Sequence, residues 1–219
     1  MSATQKEYWD RVAAEKTFSH PLRVEWLVQS LSCPSGPATI IDYGCGYGRT
    51  LAELTQAGFD RAIGLDASAQ MLVRSRELLP NARLIHGDGE SIPFRDNSVD
   101  VALLFALLTC IPQDSQQQRL IQELLRVLRP GGILYISDLM INNDERNTAR
   151  YQRYADQFGR YGVFELPEGV VMRHHNEEWI RDLTRPFENL KFERFEVVTM
   201  NGNRSAAFQY LGRKSFFSP

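Results

Sequence analysis

The sequence of 219 residues predicts an α/β fold built on a mainly parallel sheet. Three observations carry that expectation. Short apolar runs alternate with amphipathic segments from residue 38 onward, the runs are apolar throughout, and a glycine cluster closes the first of them. Strands covered on both faces by helices are expected to be continuously apolar, whereas half-exposed strands alternate.

Two early segments, Thr4–Glu15 and Pro21–Leu31, read as helices, and the Cys-Pro-Ser-Gly-Pro stretch at 33–37 is expected to end the second. Strand Ala38–Tyr43, helix Arg49–Gln56, strand Arg61–Asp66, helix Ala69–Leu79 and strand Ala82–His86 then form a βαβαβ unit. Val99–Leu108 is too apolar for a half-exposed strand. Ser115–Leu128 reads as a helix stopped by Arg-Pro-Gly-Gly, ahead of strand Ile133–Ser137. Residues 140–173 show little periodicity and read as an insertion, followed by a helix over Asn176–Leu183. The last strands, Phe192–Thr199 and Ala206–Arg213, are expected to pair antiparallel through Asn201-Gly202-Asn203, since Asn-Gly tolerates the positive φ of tight hairpins. This makes seven strands in one domain over 1–219, with residues 1–33 as an N-terminal helical cap and 140–175 as an inserted cap.

Composition narrows the function. Against 25 Lys and Arg stand 27 Asp and Glu, a formal net charge of −2, which lacks the basic excess that nucleic acid favours. Cys33, Cys45 and Cys110 lie far apart with no C-x-x-C pair, so neither a zinc site nor a disulfide framework is expected. No H-E-x-x-H spacing occurs, and no metal is expected. The longest apolar run, Val101–Leu108, is far short of the ~20 residues a spanning helix needs, and no signal-peptide pattern opens the chain. A cytoplasmic location is the expectation.

The most informative segment is Asp42-Tyr43-Gly44-Cys45-Gly46-Tyr47-Gly48-Arg49, at the junction of a strand and a helix where open α/β sheets bind ligands. Glycines there allow a tight turn and let backbone N–H groups approach a ligand at a positive helix end. The dinucleotide pattern G-x-G-x-x-G is missed, because the glycines fall at 44, 46 and 48 with Arg49 where a third would stand. Asp42 argues in the same direction. A pyrophosphate ~4 Å away would be repelled by about 4 kcal/mol at an effective dielectric of ~20, whereas a cationic group would be attracted. S-adenosylmethionine has an ammonium, a carboxylate and a sulfonium but no phosphate, and suits this loop better than NAD.

Asp66 follows Asp42 by 24 residues, near the ~20-residue offset of an acid that takes ribose hydroxyls. After the third strand, Asp88 in Gly87-Asp88-Gly89-Glu90 is placed to accept from an adenine amino group, and equally to form a turn. Met71 and Ile92 are candidates to sandwich the base.

The segments IIDYGCGYGRTL, IGLDAS, GDGESIPFRDNSVDVALLF and ELLRVLRPGGILYISD together resemble class I S-adenosylmethionine-dependent methyltransferases, in the small-molecule, ubiquinone-biosynthesis-like branch. The likeness spans roughly Tyr8–Arg213. It implies a Rossmann-like sheet of order 3-2-1-4-5-7-6 with helices on both faces and the last strand antiparallel. It also implies a donor site in which Asp42, Gly44, Gly46 and Gly48 hold the methionine end, Asp66 the ribose, and Asp88 with Gly89 the adenine. Cys45, Ala67 and Met71 complete that set, with Phe105 beside the methionine part and Tyr8 near its carboxylate. After Phe105 the chain reads Ala-Leu-Leu-Thr-Cys, without the Asn-Pro-Pro-aromatic signature of many base and amide methylases.

Methyl transfer needs alignment above all, and a hydroxyl acceptor also benefits from a base. His174 and His175, at the edge of the insertion, and His20, ahead of the second helix, are the candidates; a capping or packing role is the competing reading for each. Arg49, Arg150, Arg153 and Arg173 are candidates to hold an acidic acceptor, although arginines on exposed faces are usually solvated, and no substrate charge follows from them. The alternatives are a non-catalytic donor-binding protein, an NAD-linked oxidoreductase and an RNA methyltransferase.

Overall fold

In the computed structural model, residues 3–31 and 38–216 are described. The predicted turn at 33–37, with Cys33, lies outside them. The central sheet has seven strands in the order β3-β2-β1-β4-β5-β9-β8. These are β1 (Ile40–Tyr43), β2 (Ile63–Asp66), β3 (Arg83–His86), β4 (Val99–Phe105), β5 (Leu128–Leu139), β8 (Phe187–Val198) and β9 (Arg204–Lys214). Pairings from β3 to β5 are parallel, while β9 runs antiparallel to both β5 and β8. This is the seven-strand order expected, with a two-stranded hairpin, β6 (Val163–Glu165) and β7 (Val171–Arg173), added by the insertion.

The helices α3 (Arg49–Gln56), α4 (Ala69–Leu78), α5 (Asp114–Val127) and α7 (Glu177–Leu183) cover the sheet. Their starts have local causes. Ser68 accepts from the Met71 N–H at the head of α4, and Asn176 accepts from Trp179 N–H at the head of α7. Two apolar clusters occupy the two faces: one joins Ile41, Leu104 and Ile136 to α5 and α7, the other joins Ile40, Leu103 and Tyr135 to α2 (Val24–Ser30) and α3. A third gathers Tyr8, Trp9, Tyr151, Phe164 and Met172 beneath the cap.

Three expectations are corrected. The helices α1 (Ala3–Val12) and α2 (Val24–Ser30) are shorter than predicted, and the intervening chain is extended where Pro21 disfavours a helical His20. The Arg-Pro-Gly-Gly stretch lies inside β5, at an irregularity in its pairing with β4, instead of forming a loop before it. The insertion contains a 14-residue helix, α6 (Glu145–Phe158), capped by Asp144 and ended by Gly159 in the left-handed region.

α1 is fastened over the carboxyl edge of the sheet. Gln5 Nε2 donates to the carbonyls of Cys110 (3.1 Å) and Val171 (2.6 Å), and Asp10 accepts from the Ser68 hydroxyl (2.6 Å). Residues 18–23 continue as a strap: Phe18 N–H donates to the Tyr47 hydroxyl, His20 meets the Ser137 hydroxyl, and Gln209 donates to the Pro21 carbonyl.

Candidate functional site

The glycine loop leaves β1 and enters α3 as expected, with Gly44, Gly46 and Gly48 all at positive φ (84°, 52° and 86°). At Gly44 a Cβ would stand 2.7 Å from Leu107, and at Gly48 it would strike the Ser75 side chain. At Gly46 the nearest atom would be Met71 Sδ at 3.9 Å, so this residue borders open space. That space is a cleft of about 920 Å³, including its mouth, within the ~300–1,000 Å³ range of small-molecule sites.

Gly44, Cys45, Gly46, Asp66, Ala67, Met71, Gly89 and Phe105 all line the cleft. Asp66, at the end of β2, accepts from Gly46 N–H and Ser68 N–H, both at 2.8 Å, and so fixes the loop as well as facing the space. The loop differs from expectation in one respect. The N–H groups of Gly44 and Cys45 donate to the Leu65 carbonyl, that of Gly48 to the Cys45 carbonyl, and that of Gly46 to Asp66. These four amides are satisfied by the protein, and what the glycines offer a ligand is close approach.

Asp42 does not line the cleft. It is 1% exposed, and neither carboxylate oxygen has a hydrogen-bond partner. Burial pushes its pKa up to about 7, with Asp66 and Glu53 adding to the rise and Arg49 opposing it. Asp88 is exposed, and its carboxylate accepts from the N–H groups of Glu90 and Ser91 and from the Ser91 hydroxyl, the turn-forming geometry. Ile92 is core. Tyr8 is also buried away from the cleft; its helical neighbour Trp9, rotated by about 100° around α1, lines it instead.

Trp9, Phe18, Tyr47, Ala106, Leu107, Cys110 and Ile111, with Tyr43, Arg49, Leu65 and Gly87, complete the wall. Trp9 adjoins Tyr8 in the sequence, while Tyr47, Leu107 and Ile111 carry no signal beyond an aromatic or apolar side chain. Ala106, directly after β4, holds φ 53° without being glycine, a strained backbone of the kind concentrated at functional sites.

A second cavity, of about 620 Å³ of empty space, shares Trp9, Phe18 and Ala106 with the first. The strap, α6, the β6–β7 hairpin and the tip of the β8–β9 hairpin border it, with His20, Arg146, Arg150, Phe164, Met172 and His174 among its walls. Two of the three candidate histidines therefore meet here. His20 Nδ1 lies 3.0 Å from Ser137 Oγ, and burial with the nearby Arg49 lowers its pKa to about 4. His174 Nδ1 lies 2.6 Å from the Tyr151 hydroxyl, and burial followed by Arg150 holds its pKa well below the ordinary histidine value. Both are neutral at pH 7. His175 lines neither cavity: its Nε2 faces the Gln117 amide at 2.9 Å and its Nδ1 the Leu139 carbonyl at 3.2 Å, so both nitrogens are committed to packing. Among the described residues no three His, Cys, Asp or Glu side chains gather as a metal's ligands would, and no helix is long and apolar enough to cross a membrane.

The methyltransferase-domain family matches residues 41–136, the span from β1 to β5 that builds the cleft. Over these residues the chain is similar to S-adenosylmethionine-dependent methyltransferases. An uncharacterized methyltransferase of Mycobacterium tuberculosis is 30% identical over 170 residues, 75% of this chain and 65% of that protein. The phthiotriol/phenolphthiotriol dimycocerosates methyltransferase 1 of Mycobacterium ulcerans is 35% identical over 112 residues, 48% of this chain and 39% of that one. The chain thus spans less than two thirds of the length of these relatives. Among solved structures, an S-adenosylmethionine-dependent methyltransferase from Methanosarcina mazei superposes with a TM-score of 0.81 at 24% identity, covering 91% of this chain and 100% of that one.

Proposed function

We propose that this chain transfers a methyl group from S-adenosylmethionine to a small-molecule acceptor seated in the second cavity. The observation that carries the reading is the adjacency of two spaces that share Trp9, Phe18 and Ala106: a glycine-floored cleft faced by an acid, and a cavity bearing neutral histidines.

The residues fit this donor. Asp42 is an orphaned buried carboxylate behind the loop, outside the cleft wall, and a cationic amino-acid end above the loop offsets its charge across the loop without touching it. Gly46 leaves room at the floor, Asp66 presents oxygens for two ribose hydroxyls, and Met71, Leu107 and Ile111 make an apolar slot for a base near Gly87 and Gly89. Phe105, Tyr47, Trp9 and Phe18 present ring surfaces to a sulfonium. A dinucleotide fits poorly, since its pyrophosphate would lie over Asp42 and find the amides of Gly44, Cys45, Gly46 and Gly48 already bonded.

When bound, the donor supplies an electrophilic methyl group: the acceptor's lone pair forms the new bond to carbon, and the sulfur–carbon pair remains on sulfur as a neutral thioether. The chain's part is positional. α1 and the strap keep water out, the aromatic walls align the partners, and the Ala106 turn opens the cleft to the cavity. His20, neutral and oriented by Ser137, accepts the acceptor's proton where the acceptor is a hydroxyl. The substrate in the name of the M. ulcerans relative is not carried over, because the match covers 39% of that protein.

The test is transfer of tritiated methyl groups to a cell extract. Label in the low-mass fraction, resistant to nuclease and protease and lost in Asp66→Ala, is the expected result. Label confined to macromolecules, or none at all from folded, donor-binding protein, overturns the reading in favour of an RNA or protein substrate or of a binding-only role.

A further inference from the structure

The four arginines that the sequence offers as holders of an acidic acceptor differ sharply in the fold. Arg173 is ion-paired to Asp114 at 2.7 Å, Arg49 is paired to Glu53, and Arg153 lies on the exposed face of α6. Arg150 is different. It lines the second cavity, and among the described residues no carboxylate comes within ion-pair distance of it. Its guanidinium carbon lies 3.6 Å from the centre of the Phe164 ring, so the ring's face holds the planar group without neutralising it. One terminal nitrogen stands 3.5 Å from His174 Nε2, at the limit of hydrogen bonding, and the buried Nε has no partner.

The rest of the wall agrees in sign. Arg146 also lines the cavity, no Asp or Glu does, and the remaining lining mixes aromatic, aliphatic and thioether side chains with uncharged polar ones such as Thr109 and Asn203. A half-buried guanidinium keeps its charge, so a cavity of this composition is electrostatically incomplete. Burial holds the Arg150 pKa below that of a free guanidinium, and Arg146 adds to the fall, while the Tyr151 hydroxyl and the more distant Asp144 oppose it.

We propose that the second cavity takes an acceptor bearing a carboxylate on an apolar body, with Arg150 as its anion-binding residue. The inference rests on the donor reading above and adds the chemical class of the other substrate. A carboxylate in the cavity meets the terminal N–H groups of Arg150 in charge-assisted bonds stronger than those a neutral amide accepts. Arg150 does not line the donor cleft, whereas Ala106 borders both spaces. The carboxylate is therefore the anchor, and a separate nucleophilic atom, directed toward Ala106, receives the methyl group.

The experiment is calorimetry on the intact chain, first with S-adenosylhomocysteine and then, at saturation, with 2-naphthoate, 3-phenylpropanoate and their amides. Expected are binding of at least one carboxylate, a preference of tenfold or more over its amide, loss of that preference in Arg150→Met, and partial retention in Arg150→Lys. Arg153→Met, on the exposed side of α6, behaves as the wild type, and all variants bind S-adenosylhomocysteine within about twofold of it. No heat from either carboxylate, equal binding of the amides, or a preference that survives in both Arg150 variants overturns the proposal. Absence of heat in the first titration is a separate result that counts against the donor reading.

Discussion

Replacing Asp42 by Asn probes the least ordinary feature of the cleft, a buried carboxylate with neither oxygen hydrogen-bonded. With its folded pKa near 7 and an ordinary value of 3.8 in the unfolded chain, the native state binds the extra proton between those limits. Stability from this group is therefore fully present below about pH 4 and is lost as pH rises through 7, at ~1.4 kcal/mol per pH unit. From pH 5 to pH 8 the wild type should lose on the order of 3 kcal/mol relative to Asp42→Asn, about 6–12 °C in Tm for a chain of this size. The buried histidines act in the opposite direction, their contribution being lost as pH falls below 6.5 toward 4, but they are common to both proteins and cancel in the difference. Arg49, Asp66 and Glu53, which also act on Asp42, are unchanged by the substitution. Urea unfolding of both donor-free proteins at pH 5, 6, 7 and 8 measures the effect. Titration with S-adenosylhomocysteine should show wild-type affinity falling by up to tenfold per pH unit below 7, and weak, pH-independent binding in the variant. A stability difference constant to within about 0.5 kcal/mol across this range refutes the reasoning, because Asp42 would then ionise as it does in water.

Gly46→Val should abolish S-adenosylhomocysteine binding in a titration, since the new side chain enters the cleft from a backbone at φ 52° that a β-branched residue resists. Ala106→Gly should relieve left-handed strain and raise stability by about 1 kcal/mol in urea unfolding, while loosening the junction of the two cavities. The pH profile of kcat should show no histidine inflection between pH 6 and 8, because the base form of His20 persists down to about pH 4; an inflection near 6.5 that vanishes in His20→Asn would contradict its burial.

The sheet was legible because its physics is local. Ile40 and Ile41 in β1, Ile63 and Leu65 in β2 and the apolar run of β4 must be covered on both faces, and helices of the right period separate them. The cleft-lining positions of Gly46 and Asp66 were legible for the same reason, since both lie at or just past strand ends whose position follows from the alternation. The cap was less so. α6 buries Asn147 and Tyr151 on a mostly polar sequence, too thin an apolar stripe to reveal a helix. Choosing between Tyr8 and Trp9 required the rotational phase of α1, which neighbouring residues do not reveal. The left-handed turn at Ala106 has no sequence signature, and the isolation of Arg150 from any carboxylate depends on contacts between segments far apart in the chain.

The glycine-floored cleft is expected to bind a sulfonium nucleoside and no dinucleotide. Calorimetry at pH 8 with S-adenosylhomocysteine and, separately, NAD tests it most directly. One-to-one saturation by the first, silence from the second and loss of the signal in Asp66→Ala are predicted; saturation by NAD with no heat from S-adenosylhomocysteine would contradict the account.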